Sequence, residues 1–477
     1  MGNKKIKKGN SLTEGSIIRS ILTLSIPIIF ANILQTAYQL TDTFWVGRLG
    51  SDAVAAVSIS FPIIFLIISL GSGLAMAGTI LVSQFKGEEN KKAVDHITSQ
   101  TLILVLNISI VLAIIGYFLS PHIVAMMHAE KEVYDGAVSY LKISFIGMVF
   151  VFIYMVFQSL MRGVGDVKTP MYIVMGTVLL NLVLDPLFIF GYGFIPAFGV
   201  SGAAVATIAT QGLAALIGIF ILLKGKRAIQ LHLDDLKPDV SLIKKMFKIG
   251  LPASIEQSVR ALGMTAMTFL VAAFGTMSLA AYGIGVRILS FIIIPALGLS
   301  MATSTLVGQN IGAGKVSRAE EITKLSSRIG FIVLSIVGVI TFYFAESISR
   351  IFIPGETETI NESAVFIKIM ALTYGFIGIQ MAINGAFRGS GNTMISMILS
   401  IVSLWVLRFP IAFFLSIYAD LQAVGVYISF PAANIIAAVI TMIWFARGTW
   451  KQKKLTKEVN LTGETTKETI IEEGMNN

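Results

Sequence analysis

Apolar residues in this chain run in long blocks. They show neither the strict alternation of strands nor the one-sided stripes of soluble helices. A spanning helix needs about 20 mostly apolar residues. Twelve blocks qualify, at roughly 20–46, 53–84, 96–120, 136–161, 169–191, 199–223, 247–273, 279–310, 326–350, 364–387, 394–418 and 423–446. Several exceed that length, so tilt, bends or protruding ends are expected. One short stretch interrupts the first block: TAYQLTDTFWVG, Thr36 to Gly47, carries a single carboxylate, Asp42.

Composition agrees with the pattern. Of 477 residues, 55% are hydrophobic and 13% charged, with mean hydropathy +0.81, whereas a soluble chain carries roughly 25% charge. The reading is an all-α polytopic membrane protein. The absence of cysteine excludes disulfides, iron–sulfur clusters and thiolate zinc sites. His96, His122, His128 and His232 fall in predicted loops or helix ends, so no histidine metal cluster and no cofactor are expected. The basic start, MGNKKIKKGN, leads into an apolar run without a small-residue cleavage motif, which argues against a cleaved signal peptide. The tail 451–477 is polar and reads as disordered.

Charge sets an expected orientation. With both ends in the cytoplasm, the great majority of the 36 Lys and Arg residues lie on that side, Arg162 and Arg388 counted among its loops. The opposite loops hold Arg48, Lys131 and Arg350. This is a positive-inside bias in the cell membrane. Topology thus explains the net charge of +9, and nothing calls for a nucleic-acid partner.

The chain also repeats itself. Displaced by 225 residues, TFWVGRLG (Thr43–Gly50) faces TFLVAAFG (Thr268–Gly275), GLAMAGTILVSQFKG (Gly73–Gly87) faces GLSMATSTLVGQNIG (Gly298–Gly312), and Pro27 faces Pro252. Displaced by one more, MRGVGD (Met161–Asp166) faces FRGSGN (Phe387–Asn392). Six spans per half make the repeat parallel, with an axis along the membrane normal and a central cleft between lobes. The expected division is a segment 1–16, a first lobe 17–223, a linker 224–246 and a second lobe 247–450. Without a Gly-x-x-x-x-Gly-Lys-Ser/Thr loop, ATP hydrolysis is not expected, and an ion or solute gradient would supply the energy.

Only Asp42, Asp185 and Glu256 among 27 acidic residues fall well inside spans. An ionisable group at a helix centre costs at least about 2.5–3.5 kcal/mol, so such groups face a protein interior or cavity. Gln35, Tyr38 and Asp42 share a helix face, as do Asn181 and Asp185. Pro186 leaves the Leu182 carbonyl without its helical donor. Carboxylate, amide and free carbonyl together are plausible ligands for a cation. The alternative is structural: a buried acid paired with arginine or capping a bend. Glu256, four residues before Arg260, fits that alternative better. Arg287 and Arg408 are further intramembrane candidates, facing the cleft or snorkelling. Met76, Met301 and Met381 suit an adaptable pocket or ordinary packing.

The stretches LSIPIIFANILQTAYQLTDTFWVGRLG, RGVGDVKTPM, NLVLDPLFIFG and GVSGAAVAT, with the duplicated Q-x-x-G ends of spans two and eight, resemble the multidrug and toxic compound extrusion family, over about residues 15–450. The details look closest to its prokaryotic branch related to DNA-damage-inducible and archaeal members. The resemblance implies twelve helices in two bundles and export of organic, often cationic, compounds in exchange for protons or sodium. Its coupling site would comprise Asp42, Tyr140, Asn181, Asp185 and Thr207, with Tyr38 as the aromatic preceding the first acid. Sodium, if used, would bind at Asp42, Asn181, Asp185 and Thr207. Helix 1 would bend at Pro27. The tenth span holds no acid, a departure from the sodium-driven branch that leaves Glu256, Arg260, Arg287 and Arg408 as a possible second-lobe cleft.

The reading is an ion-coupled exporter of small organic compounds, in contact with membrane lipids and expected as a monomer. A lipid-linked saccharide flippase is the main rival, because several arginines could hold a pyrophosphate. A passive channel and a membrane enzyme fit less well: the former against lone acids and a two-lobed repeat, the latter for want of a nucleophile setting or His-Glu-x-x-His motif.

Overall fold

The computed structural model describes residues 12–193, 195–452 and 455–457. The first lobe comprises α1 (Ile17–Gly47), α2 (Ser51–Gly87), α3 (Lys91–Met126), α4 (Lys131–Val164), α5 (Lys168–Phe190) and α6 (Val200–Lys224). The second comprises α7 (Val240–Ala272), α8 (Thr276–Gly312), α9 (Val316–Tyr343), a short connecting α10 (Ala345–Phe352), α11 (Thr357–Ala371), α12 (Tyr374–Gly389), α13 (Thr393–Tyr418) and α14 (Gln422–Ala446). Large apolar side chains such as Phe118, Leu179 and Phe269 are exposed along the outer faces, as expected where lipid is the solvent. The fold is two six-helix bundles, twelve spans in all.

Ten of these helices are each long and apolar enough to cross a membrane. The tenth span is broken: α11 and α12 meet at 51° rather than forming one helix over 364–387. At the break Thr373 turns its hydroxyl onto the Met370 carbonyl, 3.2 Å away, and receives the Asn434 amide. The seventh, α7, has spanning length, but Glu256, Gln257 and Arg260 dilute its hydrophobicity. It starts at Val240, capped by Asp239, and sends Leu242, Met246 and Ile249 into the first lobe's core. The eleventh predicted block, 394–418, is π-helical over Val402–Arg408 and Phe414–Tyr418.

The duplicated Arg-Gly-x-Gly-Asp/Asn motif makes a turn in each lobe. Gly165 and Gly391 both take positive φ, 90° and 84°, a conformation that costs glycine little. Asp166 then caps α5, accepting from Thr169 N at 3.1 Å.

The lobes meet on the side that carries the chain ends, where α1 and α2 pack on α7 and α8. Small residues let the backbones touch: a Cβ added to Gly87 would stand 1.9 Å from the Gln309 carbonyl oxygen, and one added to Gly312 1.8 Å from that of Gln84. The N-terminal strap crosses the same junction, its Leu12 and Gly15 carbonyls accepting from Asn310 and Arg318. The described part of the expected tail is ordered against this closure. Trp450 and Leu455 are buried because they cover apolar surface at the lobe junction. Residues 1–11 and 458–477 lie outside the described residues.

Candidate functional site

The first-lobe candidates converge. Tyr38, on α1, is buried, and its hydroxyl lies 2.8 Å from Thr210 Oγ1 on α6. Asp42, one turn further, has one oxygen buried without a hydrogen-bond partner. On α5, Asn181 donates to Asp185 Oδ1 at 2.6 Å, and both side chains are fully buried. Asp185 Oδ2 and Asn181 Oδ1 have no partner among the described residues. Tyr140, on α4, lies within electrostatic reach of Asp42, Asp185 and Tyr38. Thr207 offers Tyr38 a second hydroxyl. The six predicted residues and Thr210, from α1, α4, α5 and α6, therefore lie together.

Chemically this is an acceptor-rich pocket. Oxygens of Asp42, Asn181 and Asp185 are buried there without a partner among the described residues, and one amide N–H serves Asp185. A buried oxygen without a donor is costly. A proton or a hard cation would satisfy such oxygens. Sequence reasoning missed Thr210, although it lies one turn from Thr207 on the same face of α6.

Pro27 is buried, and α1 stays helical through it. Fifteen residues separate it from Asp42, roughly 22 Å along the helix, so it does not touch the site.

In the second lobe Glu256 is bound to arginine on two sides. Its Oε1 accepts from Arg260 at 3.0 Å, from Arg388 at 2.5 Å and from Ser400 Oγ at 2.9 Å. Arg388 is buried, not in a cytoplasmic loop as the charge count placed it, because α12 carries it into the lobe against α7. The repeat held the clue, since Arg388 faces Arg162 in the duplicated motif. Arg260 and Arg408 line a cavity of about 90 Å³ with Gln380, Ser403, Asn434 and Phe430. Arg287 is exposed on α8 and does not line this cavity.

Comparison with known proteins follows the same duplication. The MatE family model matches twice, over residues 27–187 and 252–414. The chain is 30% identical over 449 residues to the "Probable multidrug resistance protein YoeA" of Bacillus subtilis, covering 93% of this chain and 96% of that one. It is likewise 30% identical over 444 residues to the "Probable multidrug resistance protein NorM" of Thermotoga maritima, covering 93% and 95%. A solved structure described as the outward-facing conformation of a multidrug resistance MATE family transporter superposes with TM-score 0.87 at 26% identity, over 94% of this chain and all of that one. The two matched halves, the twelve-span two-lobe fold and the multidrug-resistance relatives together make this chain a member of the MATE family of multi-pass membrane transporters, and not an enzyme.

Proposed function

We propose that the protein exports small organic compounds across the cell membrane by alternating access, in exchange for a proton or sodium ion taken up at Asp42 and Asp185. The observation that carries this reading is the set of buried oxygens on Asp42, Asn181 and Asp185 that no donor among the described residues satisfies. The multidrug-resistance names of its relatives support the exporter role, and the positive-inside bias supports cytoplasmic termini.

The lobes pack together on the terminus-bearing side, while Gln39, Thr43 and Phe44 of α1 are exposed toward the other. With cytoplasmic termini this arrangement faces outward. An ion entering from outside neutralises or bridges the acids, which relieves the cost of burying them and lets α1, α5 and α6 repack. The change expels solute. Inward-facing, the ion leaves and the cleft reloads. Coupling exists only because ion and solute favour different states.

The test is antiport in everted vesicles, with a fluorescent organic solute and an imposed proton or sodium gradient. Wild type should accumulate solute under one gradient, and Asp42→Asn, expressed to the same folded level, should not. Undiminished uptake by the variant would remove Asp42 from the coupling site.

A further inference from the structure

The two lobes carry opposite charge at corresponding places. The fifth span of the first lobe has Asp185 immediately before Pro186, and the fifth span of the second has Arg408 two residues before Pro410. Two guanidinium groups, Arg260 and Arg408, line the second-lobe cavity, and the carboxylate of Glu256 meets Arg260 outside that lining. That carboxylate is already held by Arg388, Arg260 and Ser400. Arg408 makes no ion pair among the described residues. Its NH2 donates to Asn434 Oδ1 at 2.9 Å, and its guanidinium carbon lies 4.5 Å from the centre of the Phe430 ring. The Nε groups of Arg408 and Arg260 are buried and have no acceptor among the described residues.

The backbone bears on this directly. Arg408 closes the π-helical segment Val402–Arg408, and such wide turns occur frequently at functional sites. Its side chain turns inward to Asn434 and Phe430 instead of running to the membrane surface. Unused N–H donors on a guanidinium within the membrane are costly, and planar guanidinium groups match the oxygens of carboxylate and phosphate. Met264, Leu289, Ile293 and Met381 complete the wall with apolar surface.

We infer that this second-lobe cavity binds an anionic group, carboxylate or phosphate, of the transported compound, with Arg408 as its principal partner. The inference rests on the exporter reading and narrows its substrate class from small organic compounds to amphiphilic acids and zwitterions.

The experiment is equilibrium binding to the full chain in nanodiscs of zwitterionic lipid. The probes are a fluorescent aryl carboxylate and its methyl ester, which differ in charge and little in shape. Wild type should bind the acid about tenfold more tightly than the ester, or better. Arg408→Gln should erase that preference with the ester's affinity unchanged, which also shows that the variant is folded. Ser403→Asp, which places an acid in the cavity wall, should likewise exclude the acid and spare the ester. Equal binding of acid and ester by wild type would overturn the proposal, and so would equal weakening of both by Arg408→Gln. If anionic lipid added to the nanodisc displaces the acid through Arg408, the anion site stands with a lipid headgroup as its occupant. No gradient is used, so failure here leaves coupling through Asp42 untouched, and failure of the vesicle assay leaves this site untouched.

Discussion

Gln84 and Gln309 make the same bond in opposite directions across the lobe junction. Gln84 Nε2 donates to the Gly389 carbonyl at 3.0 Å, and Gln309 Nε2 donates to the Gly163 carbonyl at 2.9 Å. Both acceptors belong to the duplicated Arg-Gly motif, so each lobe's second helix locks onto the other lobe's fourth-to-fifth turn. Each bond contributes about 1 kcal/mol. The close glycine contacts beside them contribute shape.

Gly87→Val should therefore open this side, because its Cβ would collide with the Gln309 backbone. The chain has no cysteine, so a single introduced thiol reports accessibility. Ser83→Cys, buried at the junction, should resist maleimide in the parent and react about tenfold faster with Gly87→Val, equivalent to about 1.4 kcal/mol. Equal rates would show that the junction does not close this side.

Glu256 should behave as a structural acid. Breaking a buried pair by removing one partner costs about 3–5 kcal/mol, because the remaining charge is left buried. Glu256→Gln should lower thermal stability sharply, and Glu256→Leu combined with Arg388→Met should recover part of the loss. Thermal unfolding followed by size-exclusion chromatography reads this directly. A stable Glu256→Gln protein that still folds but loses antiport would instead make Glu256 a coupling residue.

Asp42 and Asp185 should act as a unit. Each lies within electrostatic reach of the same tyrosine hydroxyls, so an ion bound at the site depends on both. In the vesicle assay, Asp42→Asn and Asp185→Asn should each abolish most antiport, and the double variant should lose no more than either alone. Additive losses would mean two independent sites. Tyr38→Phe, which removes the neutral hydroxyl interactions with Thr210 and Thr207, should cost about 1–2 kcal/mol of stability and leave transport reduced but present.

What the sequence made legible follows from cost. A carboxylate in an apolar run is expensive, so Asp42 and Asp185 stood out, and helical spacing alone joined Asn181 to Asp185. Arg388 stayed hidden because an arginine followed by Gly-Ser-Gly at a helix end reads as a loop, and its partner Glu256 lies 132 residues away. The break at Thr373 stayed hidden too: Leu372 and Thr373 are not helix breakers, and the Asn434 amide that meets the Thr373 hydroxyl comes from another helix, 61 residues on. The π-helical stretch around Arg408 shares its composition with an α-helix, so periodicity could not separate them. Trp450 stood at the very end of the second lobe and Leu455 in the polar tail after it, where average polarity hides two anchoring side chains.

Those two anchors carry the last prediction. Trp450 is fully buried and stacks on Phe445, ring centres 5.0 Å apart. Five residues on, Leu455 N donates at 2.9 Å to Oε1 of Gln84, the glutamine that also reaches Gly389. Lys451 pairs with Glu320 on α9 at 2.6 Å. The segment after α14 thus fastens the second lobe to the end of α2 in the first. Trp450→Ala empties a large core position and should cost about 3–5 kcal/mol of stability. Leu455→Pro removes the donor N–H, exchanges a buried leucine side chain for a smaller ring and strains the local turn. It should leave thermal stability less affected and raise maleimide labelling of the Ser83→Cys reporter, because one tie across the junction is lost. If Leu455→Pro changes neither quantity, the bond to Gln84 does not hold the lobes together, and the closure rests on the glutamine–glycine contacts alone.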